Sequence, residues 1–159
     1  MIINRSFKEF KFRHRSKKNQ IIYTSKKVKN DEEILNLIDN FLDEKNSFIF
    51  ESVEKGKIRG RYTIFGKDPD KIWEFNNKKS YLIQKNKKIK LKEKPEDLIE
   101  KIIEDFKFNT PKNLPNICSL ISGYFSYDSI RYIEKIPNNC ENDLDLPDVR
   151  LLRPRTLII

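Results

Sequence analysis

FIFESVEKGKIRGRYTIFG, residues 48–66, is the stretch on which the fold turns. An apolar run, Phe48-Ile49-Phe50, leads straight into a carboxylate and a hydroxyl, Glu51-Ser52. Two arginines, Arg59 and Arg61, then flank a glycine before a second apolar run. Strands are predicted over 48–53 and 62–65. Strand alternation puts Glu51 and Val53 on one face, Phe50 and Ser52 on the other. Two readings of the polar residues stay open. Glu51 and Ser52 can bind the charged ends of an amino acid, or Glu51 can pair with Arg59 or Arg61 across the hairpin.

Further strands are predicted over 72–75, 80–84 and 88–91, joined by the polar tips Asn76-Asn77 and Lys85-Asn86, an antiparallel meander. Asp68-Pro69-Asp70 reads as a turn. Upstream, Asn30-Asp31-Glu32-Glu33 resembles a capping box. The helix after it carries Ile34, Leu35, Ile38, Phe41 and Leu42 at helical spacing, predicting one buried face. A second helix starts at Pro95, with Glu96 and Asp97 in its first turn, and presents Leu98, Ile99, Ile102, Ile103 and Phe106 to a core. Residues 117–127 read as a strand interrupted by Gly123, 129–134 as a short helix, 138–147 as an acidic loop and 149–159 as a strand interrupted at Pro154. Helices and hairpins without a βαβ rhythm give an α+β class: a mostly antiparallel sheet packed with two or three helices.

Charge divides the chain. Of 33 Lys/Arg and 24 Asp/Glu, residues 1–30 hold ten basic side chains and one acid, Glu9, so this segment carries the whole net charge of +9. The remaining 23 basic and 23 acidic residues cancel. Two domains follow: a basic segment, 1–30, and a folded unit, 31–159. A basic arm can bind polyanions, but the alternation of FKEFKFRHRSKK suits an edge strand over 7–12 with a charged outer face. Nucleic acid is therefore not expected as a partner. No apolar run is long enough to span a membrane, the N-terminus lacks the apolar centre of a secretory signal, and Cys118 and Cys140 make no disulfide framework. A cytoplasmic location is expected.

Catalytic chemistry is sparse. The single histidine, His14, stands in the basic arm, and neither a CxxC, an HExxH nor a phosphate loop occurs. No catalytic, metal-binding or cofactor-binding residues are expected. Two later segments carry more information. SGYFSYDSIRYIEKIP, 122–137, has four aromatics and an Asp128/Arg131 pair, read as core aromatics with a supporting ion pair. LPDVRLLRPRTLII, 146–159, sets three arginines beside apolar residues, read as buried or interface ion pairs.

In order, the ESVE…GRYTIFG…DP, GYFSYDSIRYIEKIP and LPDVRLLRPRTLII stretches resemble the N-terminal region of anthranilate synthase component I, from about Phe48 to the last residue. Aminodeoxychorismate synthase component I, of the folate branch, shares weaker versions and is the alternative; a non-enzymatic basic binding module is another. The resemblance implies a piece of a larger two-domain chorismate-utilising fold, truncated at its C-terminal end. The C-terminal chorismate-binding domain, absent here, would hold Mg2+ and the acid/base residues. It would aminate chorismate with ammonia from a glutamine amidotransferase, component II, and eliminate pyruvate to give anthranilate for tryptophan synthesis. The N-terminal domain would help to form the L-tryptophan feedback site, with Ser52 and Glu51 as the matching residues. Alone, the chain is expected to be inactive. Ser126 stands where the family commonly has glycine.

Overall fold

A computed structural model describes residues 4–16, 19–42, 45–51, 62–106, 110–139 and 144–159. The elements are helices α1 (Phe7–Arg15), α2 (Asp31–Leu42) and α3 (Pro95–Phe106), and strands β1 (Phe48–Glu51), β2 (Thr63–Asn76), β3 (Lys79–Gln84), β4 (Lys87–Lys90), β5 (Ser122–Phe125) and β6 (Val149–Ile158). All strand pairings are antiparallel, and the sheet runs β4-β3-β2-β6-β5 with β1 also on β2. The α+β class read from the sequence holds.

β2 is the spine. β6 pairs with it along nearly its whole length, while its other edge is shared, β1 on Thr63–Gly66 and β3 on Ile72–Asn76. The change of partner falls at a bulge between Pro69 and Lys71. Asp68-Pro69-Asp70 is therefore not a turn. Asp68 takes a left-handed φ of 54° and Pro69, lacking an N–H, faces Pro154. A bulge tolerates both features. The chain stays in the sheet because β6 holds it: Arg155 binds the Asp68 carboxylate and Arg153 forks onto Asp70, with Nε donating to Oδ1 at 2.7 Å. Pro154 accordingly does not interrupt β6.

The polar tips are tight hairpins. Asn77-Lys78 and Lys85-Asn86 all have φ between 50° and 60°, the pairs of left-handed residues that match strand twist. One face of the sheet carries the core, where Trp73, Phe75, Val149 and Leu151 meet Leu98 and Ile102 of α3, with Leu82, Leu91, Ile99, Ile121 and Tyr132 packed around them. Phe75 and Val149 are fully buried. α3 thus forms where Pro95 and the helical apolar spacing placed it, although Ile103 is exposed.

Three further expectations need correction. Residues 7–12 form a helix, not an edge strand: Ser6 Oγ accepts from Glu9 N–H while Glu9 accepts from Ser6 N–H. That box, with Arg13, His14 and Arg15 at the C-terminal end, outweighs the alternation. Phe7, Phe10 and His14 stack along one side at helical spacing. Second, α2 has its cap, with Asn30 Oδ1 accepting from Glu33 N–H at 3.2 Å, but its return bond goes to Lys29 N–H. Its apolar stripe is not buried where described; Leu35 is 58% exposed and Ile34 and Leu37 are also exposed. Periodicity specifies an apolar face and leaves open whether a neighbour covers it. Ile38, Phe41 and Leu42 side chains lie outside the described residues. Third, 117–127 is not one strand. Asn116–Cys118 forms a 3-10 turn after Pro115, and only Ser122–Phe125 joins the sheet.

Candidate effector site

β1 ends at Glu51, opposite Thr63, with the Glu51 side chain exposed. Ser52 lies outside the described residues, as do Val53, Arg59 and Arg61, so the charge pairing across the hairpin lies outside them too. Phe48 and Phe50, two residues apart on a strand, share a face, and their rings sit 5.0 Å apart in a tilted pair. Phe48 faces Gly66 across the ladder, and its ring occupies the space a side chain at 66 would need: a Cβ there would meet Cζ at 2.2 Å. Any side chain at 66 would push this ring aside. Phe50, 47% exposed, leaves an open aromatic surface beside the end of the strand.

The last motif is what ties this strand to the rest. Arg150 of β6 is the register partner of Glu74 on β2, so both project from the same face. Arg150 Nε donates to Glu74 Oε1 at 3.1 Å, and Lys88 Nζ donates to Oε2 at 2.8 Å. Glu74 is only 8% exposed, and two cations satisfy its charge. Arg150 Nη2 reaches on to Asn46 Oδ1 at 2.7 Å, just before β1. The arginines of this motif do form ion pairs, as expected. The Glu74 hub was missed by sequence reasoning, because its partners lie 14 and 76 residues away.

The middle motif docks through one residue. Tyr132 packs on the core and donates its hydroxyl to Asp148 Oδ2 at 2.6 Å, and Asn77 N–H donates to the same oxygen at 3.1 Å. Burial, then the Asp148 bond, pushes the Tyr132 hydroxyl far above the ordinary tyrosine range. Residues Tyr127–Tyr132 are a 3-10 helix, and Arg131 pairs with Asp128 as expected while also donating to Ile136 C=O at 3.0 Å. The other aromatics are not core: Tyr124 and Phe125 are exposed, and Tyr127 is 87% exposed. Ser126 adopts an ordinary extended conformation, φ −71°, ψ 166°, which explains why serine is accommodated there. Gly123 is needed, since a Cβ would fall 1.9 Å from the Arg150 carbonyl oxygen. Cys118 is a free, partly buried thiol whose pKa burial raises.

Among the described residues, no group of three or more His, Cys, Asp or Glu could hold a metal ion, and no helix is long and apolar enough to cross a membrane. The three motifs are thus one connected unit: β6 grips the β2 bulge, the lead into β1, and the middle motif. The chain is 29% identical over 159 residues to anthranilate synthase component 1 of Cereibacter sphaeroides, a match over 97% of this chain and 32% of that protein. Identity to anthranilate synthase component 1 of Acetivibrio thermocellus is 33% over 119 residues, 74% of this chain and 24% of that protein. The chloroplastic anthranilate synthase alpha subunit 1 of Oryza sativa subsp. indica is 34% identical over 121 residues, 68% of this chain and 21% of that protein.

The chain is homologous to anthranilate synthase component 1. It spans a third or less of the length of these curated relatives. No protein-family model matches it. Against these anthranilate synthase proteins, the Cereibacter match extends over the basic segment as well as the sheet, so the arm is not an addition foreign to such relatives.

Proposed function

We propose that this chain is the N-terminal, regulatory part of an anthranilate synthase component 1 and supplies one wall of its L-tryptophan feedback site. In this reading the remaining two thirds of the protein would hold Mg2+ and convert chorismate and ammonia to anthranilate and pyruvate. A glutamine amidotransferase component II would supply the ammonia. The observation that carries the reading is homology to a protein of that name over 97% of this chain, which takes in the strands bearing all three motifs. The β1 terminus adds chemical support. Tryptophan needs an apolar surface for its indole and polar groups for its charged ends. Phe48 and Phe50 offer an aromatic pair, and by alternation the Ser52 hydroxyl falls on their face and can donate to the carboxylate; Glu51, on the opposite face, would accept from the ammonium only by reaching around the strand end. The exposed Phe125, Tyr127, Ile133 and Leu146 are surface that a covering domain would bury.

Feedback requires an effector that prefers one of two states. The test is tryptophan inhibition of the full-length enzyme carrying Ser52→Ala. Inhibition should weaken while uninhibited activity stays near wild type. Unchanged inhibition would refute the reading.

A further inference from the structure

Among the described residues, β1 is four residues long and pairs with the start of β2. A strand held by one short ladder can pivot or fray, so what fixes its entry matters. Asn46, two residues before it, has a left-handed φ of 66° and offers Oδ1 to Arg150 Nη2 at 2.7 Å, across 104 residues of sequence. Arg150 is itself aimed. Its Nε is bonded to Glu74 Oε1 at 3.1 Å, and the planar guanidinium then fixes the direction of Nη2. Glu74 cannot turn away, since its other oxygen is held by Lys88 at 2.8 Å in a nearly buried position. The row Lys88–Glu74–Arg150–Asn46 runs from β4 through β2 and β6 to the mouth of β1.

We infer that Arg150, aimed by Glu74, is a positioning residue for the effector half-site, acting through Asn46. The inference rests on the regulatory reading above and adds how the site is held. β1 rises about 3.4 Å per residue, so Glu51 lies roughly 10 Å along the strand from Phe48, and a latch two residues before Phe48 limits how far that short strand can swing. Releasing it leaves catalysis alone and loosens the wall that receives the effector. Lysine in place of Arg150 cannot bond both partners in one plane.

The test uses full-length protein with Asn46→Gly, which keeps the left-handed backbone but removes the acceptor, and Asn46→Asp, which keeps an oxygen acceptor. Asn46→Gly should speed hydrogen exchange of the 48–51 amides about tenfold, the factor expected for one charged hydrogen bond, and leave 72–75 unchanged. It should also raise the tryptophan concentration for half inhibition about fivefold or more, with uninhibited kcat unaltered. Asn46→Asp should stay near wild type in both. Unchanged exchange at 48–51 overturns the latch. Faster exchange with wild-type inhibition, in an enzyme that Ser52→Ala does desensitise, overturns its regulatory role. If Ser52→Ala fails too, the proposal falls with the feedback reading, and the exchange data identify that reading as the fault.

Discussion

Gly66→Ala is expected to act on the chain through a single ring. The new methyl would lie 2.2 Å from Phe48 Cζ and 2.3 Å from Cε1, where ordinary contact begins near 3.4 Å. The ring must therefore move by roughly 1 Å or leave its rotamer, at a cost of about 0.5–1.5 kcal/mol. Breaking the 5.0 Å pairing with Phe50 forfeits about 0.5–1.5 kcal/mol more. Together the substitution should lower stability by about 1–3 kcal/mol. Because Gly66 carries no left-handed strain, nothing else is expected to contribute. Urea unfolding of wild type, Gly66→Ala, Phe48→Ala and the double variant measures this as a thermodynamic cycle. With the ring gone, alanine at 66 should cost under about 0.5 kcal/mol, so the coupling should come to about 0.5–2.5 kcal/mol. Additive effects within about 0.5 kcal/mol would refute the claim that Phe48 is what demands glycine.

Gly123→Ala should be more damaging, because its Cβ meets backbone, the Arg150 carbonyl, which cannot swing aside. A loss of about 3 kcal/mol or more is expected from strain and broken ladder bonds, read as a lower urea midpoint, and a loss under about 1 kcal/mol would contradict the tight β5–β6 approach. Tyr132→Phe should cost about 1 kcal/mol at neutral pH through the lost bond to Asp148. The Tyr132 pKa is raised on folding, so its contribution is full below the unfolded value of about 10 and falls as pH climbs beyond it. Stability scans to alkaline pH should therefore show a smaller alkaline loss in the variant, and an identical loss would sink the assignment. Ser6→Ala should remove about 1 kcal/mol from α1, visible as faster exchange at 9–12 with the sheet unaffected; unchanged exchange there would mean that the box does not hold the helix.

What the sequence made legible was local. The tip Lys85-Asn86 falls where predicted, and the first tip sits one residue past the predicted Asn76-Asn77, at Asn77-Lys78, because asparagine and polar neighbours between apolar runs accept positive φ. α3 is signalled by Pro95 and by Leu98 and Ile102 at one turn's spacing. α1 was misread because only Phe10-Lys11-Phe12-Arg13 alternates, whereas Phe7 and Phe10 are three apart as on a helix, and the deciding signal was the Ser6-x-x-Glu9 box. The Asp68-Pro69-Asp70 turn failed for a non-local reason, since Arg153 and Arg155, more than eighty residues away, hold those carboxylates in the sheet. Of the candidate site, Glu51 lies within the predicted strand, 48–53, and ends the observed β1, and Ser52 lies beyond the described residues. Asn46 could not be found from sequence, because it matters only once β6 lies beside β2 and points Arg150 at it.

The most direct test of the central claim is a tryptophan dose–response on full-length enzyme, wild type against Ser52→Ala. Losing one charge-assisted hydrogen bond should shift half inhibition about ten- to hundredfold with uninhibited turnover intact. Coincident curves would contradict the claim that this strand end forms part of the effector site.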